Sequence, residues 1–179
     1  MNKTSSRIKQ TGEVFTPSPL VQEILDKLSP ELITNPSKTI LDPACGNGQF
    51  LIEVLKRRNA FTNIYGVDIM ADNTCDTIAR LAFFDKYKID LFDSNAQPIT
   101  KLEIDPHLDH HTYQWLKEQS SFERVYILKS KCIIVRLSKH TTTGSWFEYS
   151  FDDVNWTFCP TVACADSLKF NYDEFEDVI

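Results

Sequence analysis

The most constraining feature of this chain is a short apolar run that ends in an acid and is followed by two closely spaced glycines. Residues 39–51 read Thr-Ile-Leu-Asp-Pro-Ala-Cys-Gly-Asn-Gly-Gln-Phe-Leu. The run predicts a strand over 39–42, and the apolar spacing that follows predicts a helix over 48–58. Because Gly46 and Gly48 lack a Cβ atom, the backbone can turn sharply there and a ligand can approach it closely. The pattern indicates the strand, tight turn and helix of a nucleotide-binding unit.

The block from Asp42 to Leu51 is more specific than its glycine spacing. It closely resembles the S-adenosylmethionine-binding motif of DNA methyltransferases that modify the amino group of adenine. Three further segments resemble motifs of that family, in the same order: Thr-Gly-Glu-Val-Phe-Thr-Pro at 11–17, Ile-Tyr-Gly-Val-Asp-Ile at 64–69, and Thr-Val-Ala-Cys-Ala-Asp-Ser-Leu at 161–168. The resemblance reaches from residue 11 to residue 168, although a long stretch before the last segment does not match.

The resemblance implies S-adenosylmethionine as the cofactor and gives each segment a part of it. Asp42 and the glycine amides would hold the methionine end, over which the aromatic and hydroxyl residues at 15 and 16 close. Asp68 would hold the ribose hydroxyls, Ile69 would pack on the adenine face, and Asp166 would accept from the adenine amino group. The expected cofactor-binding residues are Thr11, Phe15, Thr16, Asp42, Pro43, Ala44, Cys45, Gly46, Gly48, Phe50, Asp68, Ile69, Asp166, Ser167 and Leu168.

The residue types alone leave plainer interpretations open at several of these positions. Asp42 and Asp68 each follow an apolar run, where a turn or helix-capping acid is common. The position of Asp68 also suits the acid that nucleotide-binding folds place about twenty residues beyond their glycines. Ile69 could equally be a core residue, and Phe15 a packed residue of an N-terminal arm. Cys45 would need an electropositive pocket and a partner base to act as a nucleophile, and the resemblance suggests instead a small residue that fits the turn.

The motif that receives the target base in this family is not present in the sequence. In the family the fourth strand ends in Asn-Pro-Pro-Tyr, and this chain contains no Pro-Pro pair. Residues 175–179 resemble the approach to that strand. We therefore expect no catalytic residues here, but a cofactor-binding half of an adenine-specific DNA methyltransferase that is inactive alone. The alternatives are a cofactor-binding sensor or decoy, and one half of a split enzyme completed by a second chain, with 173–179 as an exposed edge.

The periodicity of the chain predicts a doubly wound α/β fold. The resemblance implies a Rossmann-like S-adenosylmethionine-dependent methyltransferase sheet that is incomplete here and carries a β-rich insertion. Residues 1–87 would supply the first units, with helices over 17–28 and 71–87 and a second strand over 63–68. Residues 88–160 would be the insertion, and 161–179 would return to the same domain with a third strand over 162–166. A third strand over 88–92, ending in Asp90 or Asp93, is the less favoured alternative. Within the insertion, β-prone segments at 125–128, 132–137, 146–151 and 154–158 predict an antiparallel meander, for which partner docking and structural padding remain equally open.

Composition bears mainly on partners and compartment. The 19 basic and 25 acidic residues give a net charge of −6, and because Lys and Arg supply most contacts to phosphate, we expect DNA binding to be weak or partner-dependent. Weak basic clusters lie at Lys3, Arg7 and Lys9, at 56–58, and at Lys129, Lys131, Arg136 and Lys139. Each is more typical of a solvated face than of a DNA groove.

Neither a metal site nor a membrane segment is expected. Five cysteines without Cys-x-x-Cys spacing argue against zinc and against a disulfide framework, and favour reduced thiols in the cytoplasm. The resemblance implies a bacterial or phage-encoded protein. His110 and His111 are adjacent, so their side chains would point apart rather than share a metal with His107 or His140. The sequence has no apolar stretch approaching the roughly 20 residues of a bilayer span, and residues 1–10 lack the apolar core of a secretory signal.

Overall fold

The computed structural model describes residues 14–92, 124–128 and 130–175. Several predicted features lie outside these residues: Thr11 with the rest of the first motif up to residue 13, Asp93, the histidines at 107, 110 and 111, Lys129, and residues 176–179. The order of the elements and their ends are therefore given for the described residues.

Two short helices precede the glycine motif. Helix α1 spans Ser18–Asp26 and helix α2 spans Pro30–Thr34. The prediction of one helix over 17–28 was slightly too long, since α1 ends at Asp26 and Pro30 begins the next helix. Proline is well suited to a first helical position, because its missing N–H has no intrahelical acceptor there. Val21 and Leu25 are the buried residues of the α1 apolar stripe.

The strands and helices around the glycines follow the predicted pattern. Strand β1 spans Ile40–Asp42, helix α3 spans Gln49–Arg58, strand β2 spans Ile64–Asp68, and helix α4 spans Ala71–Tyr87. Strands β1 and β2 pair in parallel, as the crossover through α3 requires. Helix α3 ends at Arg58 and is followed by Asn59, whose left-handed φ of 57° is usual for a C-terminal cap.

Four strands follow and complete a single mixed sheet of the described residues. Strand β3 spans Arg124–Leu128, β4 spans Lys131–His140, β5 spans Ser145–Ser150 and β6 spans Thr157–Cys164. The strand order is β1-β2-β6-β5-β4-β3, with β1, β2 and β6 parallel and the remaining pairs antiparallel. The α/β class is confirmed, and the predicted meander is an extension of the same sheet as the parallel strands.

The prediction of separate strands over 154–158 and 162–166 was wrong, because β6 is one strand that begins at Thr157 and ends at Cys164. Pro160 lies within it, where a missing N–H would normally interrupt pairing. The register with β5 shifts between Trp146 and Glu148, so a bulge accommodates the proline. The expected boundary between residues 160 and 161 thus falls inside a strand. Residues 88–92, the alternative third strand, do not form a strand of this sheet.

Both faces of the sheet are covered. Helices α3 and α4 pack on one face over the main core, which includes Leu51, Ile78, Phe83 and Phe147. Alternate residues of the same strands point to the other face, where Val67, Trp146 and Ala163 pack against Phe170 and Phe175 of the segment after β6. None of the helices in the described part of the chain has the length and apolar character that crossing a bilayer requires.

Candidate cofactor-binding site at the ends of the parallel strands

Three sequence motifs that are far apart along the chain meet at one edge of the sheet. Strands β1, β2 and β6 are parallel, so their carboxyl ends lie side by side. Asp42 pairs with Gly66, and Asp68 pairs with Cys164, two residues before Asp166. In open α/β sheets this edge is where ligands bind. The glycine loop, Asp68 and the Asp166 segment therefore border one candidate site.

The glycine loop has the backbone conformation that its residues predict. Gly46 and Gly48 have φ values of 54° and 76°, in the left-handed region where a side chain is strained. The Gly48 N–H donates to the Cys45 carbonyl at 2.8 Å, and the Cys45 N–H donates to the Val67 carbonyl at 2.9 Å. The loop is thereby tied to itself and to strand β2.

The carboxylate of Asp68 stabilises this loop through hydrogen bonds. Its side chain is 8% exposed, and its Oδ2 accepts from the Gly46 N–H at 2.9 Å. Its Oδ1 accepts from the Met70 N–H at 2.8 Å and from Asn73 Nδ2 at 3.0 Å. A carboxylate offers about four lone-pair positions, so most of its capacity serves the protein. A ribose hydroxyl at this carboxylate would share it with the glycine loop.

A polar stripe of helix α4 supports the loop from the other side. Thr77 Oγ1 donates to the Gly46 carbonyl at 2.9 Å, and a Cβ atom at Gly48 would lie only 3.0 Å from Thr77 Cγ2. Asn73, Thr77 and Arg80 recur at spacings of four and three, so they share one helix face. None of these three residues was predicted to belong to the site, although their shared helix face was an available signal.

Arg80 is a buried cation behind the loop. It is 1% exposed and forms a two-pronged ion pair with Asp90, at 2.6 Å from Nε and 2.8 Å from Nη2. Its Nη1 donates to Gln49 Oε1 at 2.8 Å, at the start of α3. Lys56 of α3 also reaches Asp90, at 2.9 Å. Burial alone would raise the pKa of the Asp90 carboxyl, but Arg80 and Lys56 outweigh it and hold that pKa below its ordinary value.

The N-terminal motif reaches the site through Phe15. A Cβ atom built on Gly46 would lie 3.2 Å from Phe15 Cε1, so the aromatic ring rests directly on this glycine. Phe15 and the neighbouring Thr16 are half-buried. The structure therefore brings the first motif and the glycine loop together, as their resemblance implies.

The loop residues differ in what they present to a ligand. Pro43 and Ala44 are exposed, whereas Phe50 is partly buried and packs against the main core. Cys45 is 5% exposed and lies under Gly66, where a Cβ atom would be 3.1 Å from its Sγ.

Two neighbouring carboxylates give this edge a negative field. Burial raises the pKa of Asp42, and the charge of Asp68 adds to the effect, while the Ala44 N–H opposes it. Burial also raises the pKa of the Cys45 thiol, with further contributions from both carboxylates. Cys45 is thus a neutral thiol in an electronegative setting, which is the reverse of what an activated nucleophile needs.

The segment after β6 forms the far side of the site. The Ala165 N–H donates to the Asp68 carbonyl at 2.8 Å, which joins the ends of β2 and β6. Asp166 is half-buried, and its Oδ1 accepts from the Leu168 N–H at 3.1 Å. Ile69 and Leu168 are 67% and 94% exposed. Two apolar side chains in water at this edge leave open surface for an apolar ligand face.

A comparison with known protein families agrees with this geometry. Residues 1–109 match the model of the N-6 DNA methylase family, which is more than half of the 179-residue chain. The chain belongs to the N-6 DNA methylase family. The match includes the glycine loop, Asp68 and Ile69, and it ends before Asp166, Ser167 and Leu168. No solved structure matches the chain.

Within the described residues, several basic side chains of this N-6 DNA methylase family member are engaged within the protein, while Lys3, Arg7, Lys9 and Lys129 lie outside those residues. Arg58 donates to the carbonyls of Leu32, Ile33 and Lys38. Arg57 pairs with Asp26 at 2.7 Å. On the meander, Arg136 pairs with Glu148 at 2.6 Å and stacks 3.5 Å from the centre of the Trp156 ring. That DNA binding is weak or partner-dependent stays a prediction.

Proposed function

We propose that this chain is the S-adenosylmethionine-binding part of a DNA methyltransferase that modifies the N6 amino group of adenine. Membership of the N-6 DNA methylase family supports DNA methylation as the activity. The observation that carries the cofactor assignment is the meeting of the glycine loop with Asp42 and Asp68 at the carboxyl ends of parallel strands.

The chemistry of this edge suits a sulfonium nucleoside. The cofactor carries an ammonium and a sulfonium charge. Asp42 lies beside Asp68 at this edge, and a bound cation would relieve the repulsion between the two carboxylates, which adds to burial in raising the pKa of Asp42. Gly48 precedes helix α3, which begins at Gln49, so the backbone N–H groups of the first helical turn can face the cofactor carboxylate, while the Gly48 N–H is already bonded to the Cys45 carbonyl. Ile69 and Leu168 supply exposed apolar surface for the two faces of an adenine ring.

Each residue would then bind and orient one part of the donor. Asp42 would accept from the ammonium group, Asp68 would share its carboxylate between the glycine loop and the ribose, and Asp166 would accept from the adenine amino group. When bound, S-adenosylmethionine supplies the methyl group that the target nitrogen receives. The contribution of these residues is proximity and alignment, which need no proton transfer from the protein.

We further propose that these 179 residues bind the cofactor without methylating DNA by themselves. They contain no Pro-Pro pair, so they lack the Asn-Pro-Pro-Tyr site for the flipped target base. Strand β1 pairs with β2 and with no other strand of the described residues. Its other edge can accept a further strand, which supports an acceptor site supplied by additional polypeptide. DNA binding would likewise depend on that polypeptide.

Calorimetric titration with S-adenosylmethionine tests the cofactor assignment. We expect saturable binding, weakened by about 10- to 100-fold in Asp42→Asn, because one charge-assisted hydrogen bond contributes about 1.5–3 kcal/mol. Glu23→Gln, which breaks an exposed ion pair on α1, is the matched control and should bind as the wild type does. No measurable binding by the folded wild-type protein would reject the proposal.

A methylation assay tests the second part. Adenine-containing DNA and labelled cofactor are incubated with the chain alone and with a second polypeptide that carries Asn-Pro-Pro-Tyr. Transfer only in the mixture would support a divided enzyme, whereas binding without transfer in either case would favour a cofactor sensor. Transfer by the chain alone would contradict the assignment of the acceptor site to other polypeptide.

A further inference from the structure

The turn between strands β4 and β5 lies at the same edge of the sheet as the candidate site. Strand β6 runs parallel to β2, β5 runs against β6, and β4 runs against β5. The β4–β5 turn, residues 141–144, therefore lies beside the carboxyl end of β6. The register makes this direct, since Ser145 pairs with Cys164 while Cys164 also pairs with Asp68.

This turn is closed by its own hydrogen bonds. The Thr141 N–H donates to the Gly144 carbonyl at 2.8 Å, and the Gly144 N–H donates to Thr141 Oγ1 at 3.0 Å. The flanking His140 Nδ1 and Ser145 Oγ lie 2.8 Å apart within hydrogen-bonding distance. A turn held at several points can act as a fixed support for what it contacts.

The β4–β5 turn contacts residues 165–170, which we call the Asp166 loop. A Cβ atom at Gly144 would lie 3.2 Å from Phe170 Cε2, and 3.3 Å from both Ala165 Cβ and the Cys164 carbonyl oxygen. A Cβ atom at this position would require these neighbours to shift by a few tenths of an ångström. The φ of Gly144 is outside the left-handed region, so the backbone itself does not require glycine there.

A second contact joins the turn to the end of the same segment. Thr143 Oγ1 and Trp146 Nε1 both donate to the carboxylate of Glu174, the latter at 3.4 Å. Trp146 is fully buried and packs edge-on against Phe175, with ring centres 5.6 Å apart. The meander thus contacts the segment from Asp166 to Phe175 near both of its ends.

We propose that the β4–β5 turn positions the Asp166 loop, so that the β-rich extension of the sheet sets recognition of the adenine end of the cofactor. Gly144, Thr143 and Glu174 are positioning residues in this assignment, and Asp166 makes the contact. The inference rests on the proposed function, because it concerns one end of the same cofactor site. It gives the meander a role in ligand selection.

The test compares two ligands that differ at the adenine amino group. S-adenosylhomocysteine carries this group, whereas S-inosylhomocysteine has a carbonyl oxygen there, which would face the Asp166 carboxylate. We expect the wild type to prefer the adenine form by about tenfold or more, as expected for a site built around one polar contact. In Asp166→Asn the preference should largely disappear, because an amide can either donate or accept.

The positioning residues are then tested by the same ratio of dissociation constants. Gly144→Ala and Thr143→Val should each reduce the preference to about threefold or less, with Gly144→Val stronger than Gly144→Ala. A general loss of stability would lower the folded fraction but would leave the ratio unchanged. Val154→Ala, at a 77% exposed position in the turn at the opposite end of the meander, is the control and should keep the wild-type ratio.

The outcomes separate the two proposals. Wild-type protein that binds neither ligand would overturn the proposed function. Wild-type protein that binds both ligands equally would overturn the role of Asp166 in this inference. A wild-type preference that Gly144→Ala, Gly144→Val and Thr143→Val all retain would overturn the positioning role alone.

Discussion

At the scale of single residues, Asp42 is the side chain that should respond most to a bound cation. Burial and the neighbouring Asp68 raise its pKa above the ordinary value of 3.8. The ionised form attracts an ammonium group much more strongly than the neutral form does, so cofactor binding should release the proton that the free protein holds at low pH. We predict that affinity for S-adenosylmethionine rises with pH through the raised pKa of Asp42.

The measurement is a set of titrations from about pH 4 to about pH 7, a range that brackets an upward-shifted carboxyl. The Asp42→Asn variant should bind more weakly and with a flatter pH dependence, since its side chain cannot ionise. If the wild type and this variant show parallel pH profiles, another group controls the affinity and Asp42 does not bind the ammonium.

Residue roles could be predicted where they follow from local chemistry, and not where they depend on a distant partner. The sequence of residues 42–50 already indicates a tight glycine turn, and the structure places Gly46 and Gly48 in the left-handed region. That Asp68 supports this turn through the Gly46 N–H, 22 residues away, depends on the pairing of β1 with β2. The same holds for Thr77, which reaches the Gly46 carbonyl from another helix.

At the scale of elements, the ion pair between Arg80 and Asp90 joins helix α4 to the chain that follows it and, through Gln49, to the start of α3. Asp90→Asn would leave the fully buried Arg80 without its counter-charge. We predict a loss of about 3–5 kcal/mol in the free energy of unfolding at neutral pH, the usual cost of breaking one side of a buried pair. Urea denaturation followed by circular dichroism measures it.

The pH dependence of this loss has a definite sign. The folded pKa of Asp90 is lowered below 3.8, so its stabilisation is fully present above that value and disappears as the pH falls through the folded pKa. The difference between wild type and Asp90→Asn should therefore shrink below about pH 4. The control is Glu23→Gln, in an ion pair whose side chains are 64% and 71% exposed. It should lower the free energy of unfolding by less than about 1 kcal/mol. Equal losses in the two variants would contradict a special role for Asp90.

Among the elements, helices were predicted more accurately than strand connections. The apolar periodicity of residues 71–87 fixed both ends of helix α4, because helical spacing is a property of the segment itself. Strand β6 was predicted as two strands, because residues 154–158 are β-prone and residues 161–168 resemble a separate strand motif of the family. Its continuity depends on the bulge opposite β5, which only the paired strand can reveal.

At the scale of the whole molecule, strand β6 connects the parallel strands of the sheet to the meander. Strand β6 pairs with β2 on one side and with β5 on the other. The main core likewise mixes Leu51 and Phe83 from the helices with Ile133 and Phe147 from the meander. Because both parts share a strand and a core, neither buries its apolar surface without the other. We therefore predict that the protein unfolds in one cooperative transition.

Two spectroscopic probes can distinguish one transition from two. All three tryptophans, at 115, 146 and 156, follow residue 92 in the sequence, so their fluorescence reports on the later part of the chain. The described α-helices lie between Ser18 and Tyr87, so the contribution of the described residues to the circular dichroism at 222 nm comes mainly from the earlier part. A single cooperative unit requires that the two denaturation curves coincide.

A core substitution in the meander tests more directly whether the protein unfolds in one cooperative transition. Phe147 is 1% exposed, and Phe147→Ala should lower the free energy of unfolding by about 3–5 kcal/mol. Because the helices and the meander form one cooperative unit, the midpoint of the circular dichroism curve should shift to a lower urea concentration. The midpoint of the fluorescence curve should shift by the same amount. Val154→Ala, exposed in the same extension, should shift neither curve. A fluorescence transition that moves while the helical transition stays in place would show that the meander is a separate domain, and the turn between β4 and β5 would then lose its firm support.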